Sequence, residues 1–412
     1  MKRRPLRILA IGSSGSNHVV NRVRCFADRG HDVYLLCEAR VGLNRITELV
    51  PSAPPGQDEW VRSLVRPVER LLRRDVPGAA DMVRLLIAFR RLVKQANPDI
   101  VHVHYAYATW GWMAAVLGLK PLVVSIMGGD VLYEEQGSPT PRGIRLTKGL
   151  LQCADLITAK SNFLIGVLDS LGGYGGKAIR VMWGVDPETF RPLDGGALRA
   201  ELGISADARV VLSPKILAPF YNIDVLVEAM AQVVAREPKA QLVLTEYGAA
   251  PGYRAQLAAQ IAALGLAPHV KFVGAVPHEQ MPQYYGLADV SVGIPKSDGL
   301  PQTLLEGMAC GVPTVVGRLD RYEEVVRDGE SAVFADITPT GIADAILKLL
   351  RDEALHRRIS QAGRDVVVEQ ANFPHDVSRV EDAYYRLVDR WNFICPPRPR
   401  MLSDVALYWL GR

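Results

Sequence analysis

No run of about 20 uncharged apolar residues occurs in the 412-residue chain, which argues against a bilayer-spanning helix. Cysteine is scarce: Cys25, Cys37, Cys153, Cys310 and Cys395 are odd in number and widely spaced. That excludes a disulfide framework and a cysteine zinc site, and fits free thiols in a reducing cytoplasm. Neither Asp-x-Asp nor His-x-x-His spacing is present, so no metal site is expected. The dinucleotide fingerprint G-x-G-x-x-G is missing too: Gly12-Ser-Ser-Gly15-Ser-Asn-His18 has two glycines and no third. Glu38 stands where an NAD-binding acid would, but without those glycines an NAD-dependent oxidoreductase is the weakest reading. Met1-Lys-Arg-Arg4 looks like the start of a signal peptide. The apolar stretch after it, Leu6 to Gly12, is too short for one and reads as a first strand.

Net charge is low, at +4, but unevenly spread. Between Trp60 and Gln95 eight Arg and one Lys face three acids, and Arg62, Arg66, Arg70 and Arg73 recur at helical spacing. Such a face either lies on an anionic membrane surface or is an ordinary solvated helix face. The first alternative gives a cytoplasmic protein peripheral on the inner face of the membrane, with contact through residues 60–95. No nucleic-acid recognition module accompanies the charge.

What the chain does have is apolar residues, 49%, distributed as strand-like runs alternating with helix-like ones. In the first half the strands are Leu6–Gly12, Val33–Cys37, Ile100–His104, Leu122–Ser125 and Leu156–Ala159. A second series runs through Val210–Leu212, Gln241–Thr245, Val270–Val273, Val290–Ile294, Thr314–Val316 and Ala332–Phe334. Alternation at this spacing predicts parallel sheets wrapped by helices, with ligands at the carboxyl ends of the strands. The length predicts two domains. The Pro/Gly-rich piece Arg191–Val210 separates them, giving 1–190 and 191–374, with residues 375–412 returning to complete the first. The tail Pro396–Arg412 either docks on that domain or touches membrane.

The most informative segment is Gly293 to Gly317, GIPKSDGLPQTLLEGMACGVPTVVG. A strand ends, a loop turns into a helix, and Asp298 and Glu306 stand eight residues apart. Free amides at a helix start attract phosphate, whereas carboxylates there accept from sugar hydroxyls. A nucleoside diphosphate bearing a sugar suits both. The structural alternative is a capping box, Thr303-x-x-Glu306, beside an Asp298-Gly299 turn.

This segment resembles the acid-x7-acid signature of retaining family-4 glycosyltransferases, with Asp298 as the first acid and "LLEGMACGVPTVV" matching nearly throughout. "RVMWGVDPETF" resembles the family's N-G-V-D-x-x-x-F, and "ANFPHDVSRVEDAYYRLVDRW" its closing helix. The resemblance implies an α/β protein of GT-B fold, two Rossmann-like parallel-sheet domains facing across a cleft. It implies that Asp298, Gly299 and Leu300 face the donor sugar, the Thr303 and Leu304 amides the diphosphate, and Glu306 the ribose. Gly15 offers its amide to the diphosphate, and His18 and His104 fall on the acceptor side. Asp130, in "IMGGD", matches the family's T-x-H-G-x-D and either orients a sugar hydroxyl or holds its loop; Met127 replaces the usual His. His102 and His104 share one side of a strand, and a buried hydrogen-bonded pair is the alternative to a ligand role.

In "LSPKILAPFYNIDVL", Lys215 stands for the family's diphosphate-binding Arg, but the Lys position falls on Tyr221-Asn222. Lys296 or Arg318 are candidates to replace that cation. The implied activity is retaining, metal-independent transfer from a nucleotide sugar to a glycan or lipid-linked acceptor in bacterial surface polysaccharide or glycoconjugate synthesis, with no cofactor. A GT-B sugar-nucleotide epimerase and a catalytically weak membrane-associated subunit are the rivals.

Overall fold

In a computed structural model of the chain, the described residues are 3–51, 79–133, 139–246, 248–390, 401, 404, 405 and 408. The basic positions Arg62, Arg66, Arg70 and Arg73, with the rest of 52–78, lie outside them, as does most of the tail after residue 390. The chain forms two units, Met1–Val181 with Val377–Arg412, and Met182–Asp376.

The first unit is built from β1 (Arg7–Ile11), α1 (Asn17–Asp28), β2 (Asp32–Leu36), β3 (Ile46–Leu49), α2 (Ala79–Ala96), β4 (Ile100–His104), α3 (Thr109–Val116), β5 (Leu122–Ser125), α4 (Pro141–Cys153), β6 (Leu156–Ala159), α5 (Asn162–Gly172) and β7 (Ala178–Arg180). The strands form a parallel sheet in the order β3-β2-β1-β4-β5-β6-β7. Helices cover it because nearly every strand residue is buried: Leu9, Ile11, Val101, Val103, Leu122, Val124 and Ile157 join Phe89, Trp112 and Leu150 in one core. Each such side chain contributes roughly 1.5–3 kcal/mol. Strands β3 and β7 are absent from the sequence expectation. They are the two edges of the sheet, short and only half apolar.

The second unit holds α6 (Gly196–Glu201), β8 (Arg209–Ser213), α7 (Ile223–Arg236), β9 (Ala240–Leu244), α8 (Tyr253–Ala263), β10 (Val270–Phe272), α9 (Met281–Gly286), β11 (Val290–Gly293), α10 (Gln302–Ala309), β12 (Thr314–Gly317), β13 (Val333–Ala335), α11 (Pro339–Arg351) and α12 (Glu353–Gln370). Its parallel sheet runs β10-β9-β8-β11-β12-β13. One face packs Val211, Leu242 and Val292 against Leu226, Met230 and Ile346; the other packs Val210, Leu212 and Val316 against Leu304, Leu305 and Met308. The last helix, α13 (Phe373–Arg390), begins in the second unit, and from Val377 its residues belong to the first.

Strand order fixes where ligands can bind. In each sheet the chain reverses direction of growth beside its first strand: β1 pairs with β2 and β4, and β8 with β9 and β11. The crevice at the carboxyl ends of such a strand pair is the usual ligand position. In the second unit those ends lead directly into Lys215 and into the Lys296–Pro301 loop.

Candidate functional site

The second unit brings Lys215, Asp298, Thr303 and Glu306 together. Lys215 follows β8 through Pro214 and is 7% exposed. Its stem crosses Gly293 so closely that a Cβ there would sit 2.9 Å from Cε, which is why the end of β11 is glycine. The ammonium lies 5.7 Å from the centre of the Tyr221 ring and makes no hydrogen bond among the described residues. Burial pushes its pKa down, against the opposing pull of Asp298 and Glu306. A narrow recess is lined by Pro214, Lys215, Gly293, Pro301, Thr303 and Leu304.

Helix α10 meets this recess with its amino end. It starts at Gln302 with Pro301 as its cap, so no side chain satisfies the first-turn amides. The capping-box alternative fails here, because Thr303 lies inside the helix and Glu306 points elsewhere. Glu306 is 3% exposed; its Oε1 lies 2.9 Å from His278 Nε2 and its Oε2 3.1 Å from the Tyr285 hydroxyl. That same hydroxyl is 3.1 Å from the Thr303 carbonyl. The hydrogen bond to Glu306 raises the His278 pKa, overcoming burial, and burial pushes Tyr285 well up. Gly307 allows α10 to press on the sheet: a Cβ there would lie 3.1 Å from Thr314 Oγ1. Gln302 Nε2 also donates to the Gly184 carbonyl, at 2.7 Å, in the N-G-V-D-like segment.

Asp298 is half-buried in the loop before α10, where Oδ1 accepts the Leu300 amide at 3.1 Å. Gly299 and Leu300 are buried beside it. Lys296 is exposed, with its amide bonded to the Phe220 carbonyl. Arg318, the other candidate for the missing cation, reaches Asp328 and Asp336 at 3.4 Å each and lies over Phe334. Asn222 has a positional role: at φ 52° it takes the left-handed conformation that Asn tolerates, and its Nδ2 donates to the Ile294 carbonyl at 2.7 Å. Sequence reasoning missed His278, Tyr285 and Arg321. The Arg321 Nη2 donates to Ser297 Oγ, at 3.4 Å, one residue before Asp298. Each is 18 or more residues from its partners, and no linear spacing announces it.

In the first unit the expected residues take other partners. Of the two roles the sequence leaves Asp130, the geometry accounts for the loop-holding one. Fully buried, it accepts from the amides of Ala106 (2.7 Å), Met127 (2.9 Å) and Gly128 (3.0 Å), and so pins the loop after β5. Burial pushes its carboxyl up, with those amides opposing. The Gly15 amide, read as a diphosphate ligand, is occupied by Ser13 Oγ (3.2 Å) and Glu38 Oε1 (3.5 Å). Burial works against ionisation of Glu38, but the Ser13 hydroxyl and nearby amides outweigh it and lower its pKa. His18 is exposed on α1. His102 is buried and bonded to Tyr384 and Ser125, its pKa pushed to about 3 by burial and Arg22. His104 stacks on it at 4.0 Å with Nδ1 buried and unbonded, and burial lowers its pKa strongly. Both imidazoles are therefore neutral, and among the described residues His102 alone of the two is hydrogen-bonded.

Comparison with known proteins accords with this arrangement. Residues 196–366 match the description "Glycosyl transferases group 1" and residues 15–189 match "Glycosyltransferase Family 4". A D-inositol 3-phosphate glycosyltransferase 2 of Catenulispora acidiphila is 28% identical, over 93% of each chain. An N-acetyl-alpha-D-glucosaminyl L-malate synthase of Bacillus anthracis is 27% identical, over 71% of this chain and 76% of its own. The crystal structure of Anabaena HepE in complex with UDP and glucose superimposes with a TM-score of 0.75 at 20% identity, covering 93% of this chain and all of that one.

Proposed function

The chain belongs to the family-4 glycosyltransferases, with the GT-B fold, and from that premise we propose that it transfers a sugar, with retention and without a metal, from a nucleoside diphosphate donor to a glycan, glycolipid or other small polyhydroxy acceptor. One observation carries this reading: a buried lysine with no hydrogen-bond partner among the described residues lines the same recess as the amino end of α10, which no side chain caps, while Glu306 on the next turn is held by His278 and Tyr285.

In this mechanism the diphosphate lies against the amides of Thr303 and Leu304, with Lys215 as counter-charge. As the bond to the anomeric carbon breaks, negative charge grows on the departing phosphate, where a preformed cation in a dry site acts most strongly. Glu306 accepts from the ribose hydroxyls. Asp298 and the Gly299–Leu300 backbone accept from and donate to the sugar. The acceptor hydroxyl attacks from the leaving-group side, and a phosphate oxygen takes its proton, so no side-chain nucleophile is needed. Acceptor recognition falls to the first unit, where His104 ends β4. The relatives named for inositol 3-phosphate and malate support small polar acceptors; surface polysaccharide or glycoconjugate synthesis remains our reading of its setting.

Among the described residues no helix is long and apolar enough to cross a membrane. We place the protein in the cytoplasm, peripheral on an anionic membrane through residues 60–95, and co-sedimentation with anionic vesicles tests that. The enzymatic reading is tested by a thermal-shift screen against UDP- and GDP-sugars, then by NMR of the product's anomeric configuration. An epimerised donor without acceptor would favour the epimerase, and absence of any nucleotide binding the inactive subunit.

A further inference from the structure

We propose that His278 is a positioning residue of the donor site, acting as the cationic partner that fixes Glu306 and cancels its charge when a nucleoside diphosphate binds. This rests on the reading of Glu306 as the ribose acid. The geometry is specific. His278 opens a short 3-10 turn, His278–Gln280, immediately before α9, and sits 28 residues from Glu306 in the chain. Its Nε2 meets Oε1, while Tyr285 from α9 meets Oε2, so the carboxylate is gripped at both oxygens. Phe190 packs against the ring, with centroids 5.2 Å apart.

A lone carboxylate is a poor neighbour for a pyrophosphate. The ribose joins the two, so an uncompensated Glu306 would repel the diphosphate that α10 and Lys215 attract. A protonated His278 removes that repulsion and leaves free lone pairs on Glu306 for hydroxyls. The groups acting on His278 are Glu306 and Glu279, and both favour its charged form. Those acting on Glu306 are His278, Tyr285 from α9, Lys215 after β8, and Cys310 at the end of α10, whose thiol is pushed up to about 12 by burial and by Glu306 itself.

The sign follows. The His278 pKa is raised above 6.5, so below that raised value the ring is charged and the diphosphate binds tightly. As pH rises through it, Glu306 loses its hydrogen-bonded cation, leaving Lys215 as the one positive group acting on it among those named, and affinity falls. The donor KM therefore carries the effect, and kcat little of it.

The test is calorimetric titration of UDP and of GDP into wild type, His278→Gln and Glu306→Gln between pH 5.5 and 8.5. Gln keeps a neutral donor toward Glu306 but cannot be charged. The nucleotide's own phosphate titration is common to all three proteins and cancels in the ratio of dissociation constants. We expect the His278→Gln to wild-type ratio to be roughly three- to tenfold at the acid end and to approach one at the alkaline end. A ratio flat with pH, or equal losses in kcat and KM, overturns the proposal while Glu306→Gln still weakens binding. Should Glu306→Gln leave the affinity intact, the ribose assignment itself fails, and this inference with it. If His278→Gln does not fold, NMR titration of the wild-type His278 ring decides: a ring that titrates at or below 6.5 refutes the idea, and one above it that rises further with bound nucleotide supports it.

Discussion

Replacing Lys215 by Met keeps most of the stem that lies over Gly293 and removes the charge. In the fold the lysine is only 7% exposed, makes no hydrogen bond among the described residues, and holds its charge less well than in the unfolded chain. A folded pKa below 10.5 means the penalty is full below the folded value and fades as pH rises from it toward 10.5. Its acidic neighbours keep other partners: Glu306 has His278 and Tyr285, and Asp298 the Leu300 amide. Stability should therefore change by no more than about 1 kcal/mol, some 2–4 °C in Tm for a domain of this size, and in either direction. Catalysis should suffer far more. Loss of one preformed donor to a developing oxyanion typically costs about 10²–10³ in kcat. The assay is release of nucleoside diphosphate from the donor that the thermal-shift screen identifies, run beside thermal melts of both proteins. Gly293→Ala, which forces a methyl to 2.9 Å from Lys215 Cε, should give a milder form of the same kinetic loss. The reasoning is refuted if Lys215→Met melts many degrees lower while turnover stays within about threefold, because the lysine would then be structural.

Three further outcomes follow from the same geometry. Asp298→Asn should lower kcat by about tenfold or more while UDP or GDP affinity, read by calorimetry, shifts by less than about threefold; equal losses would remove Asp298 from the sugar. Asp130→Ala orphans three amides, two of them buried, and should cost about 2–3 kcal/mol or more, visible as a lower midpoint in urea, and a variant of unchanged midpoint contradicts the anchor role. Asn222→Lys places a longer side chain at a positive φ and breaks the bond to Ile294, so it should lower stability by about 1–2 kcal/mol without raising kcat; a faster enzyme would mean the missing cation had been restored.

Much of the fold was legible because a parallel strand buried on both faces must be written as a continuous apolar run. Ile100-Val-His-Val-His104 and Leu122-Val-Val-Ser125 coincide with their strands to the residue. Strands β3 and β7 were not legible, since edge strands face solvent and Ile-Thr-Glu-Leu or Ala-Ile-Arg carries no such run. In the site, the spacing of Asp298 and Glu306 and the position of Lys215 could be read directly. The function of Thr303-x-x-Glu306 could not, because a cap and a ligand-binding acid share one pattern until the helix start is known; Pro301 decides it. Nor could His278 or Arg321 be found, since their contacts join segments far apart in the chain and not positions at a local spacing. Asn222 shows the reverse: a residue that breaks a family pattern of charge satisfies a backbone requirement of its own turn.

The claim on which the account turns is that a pyrophosphate rests on the amino end of Gln302–Ala309. A crystal structure determined with saturating UDP or GDP measures this directly. The expected result is phosphate density within hydrogen-bond distance of the Thr303 and Leu304 amides, with Lys215 Nζ beside it and the ribose hydroxyls on Glu306. Nucleotide density on any other part of the second unit, or on the first, would contradict it.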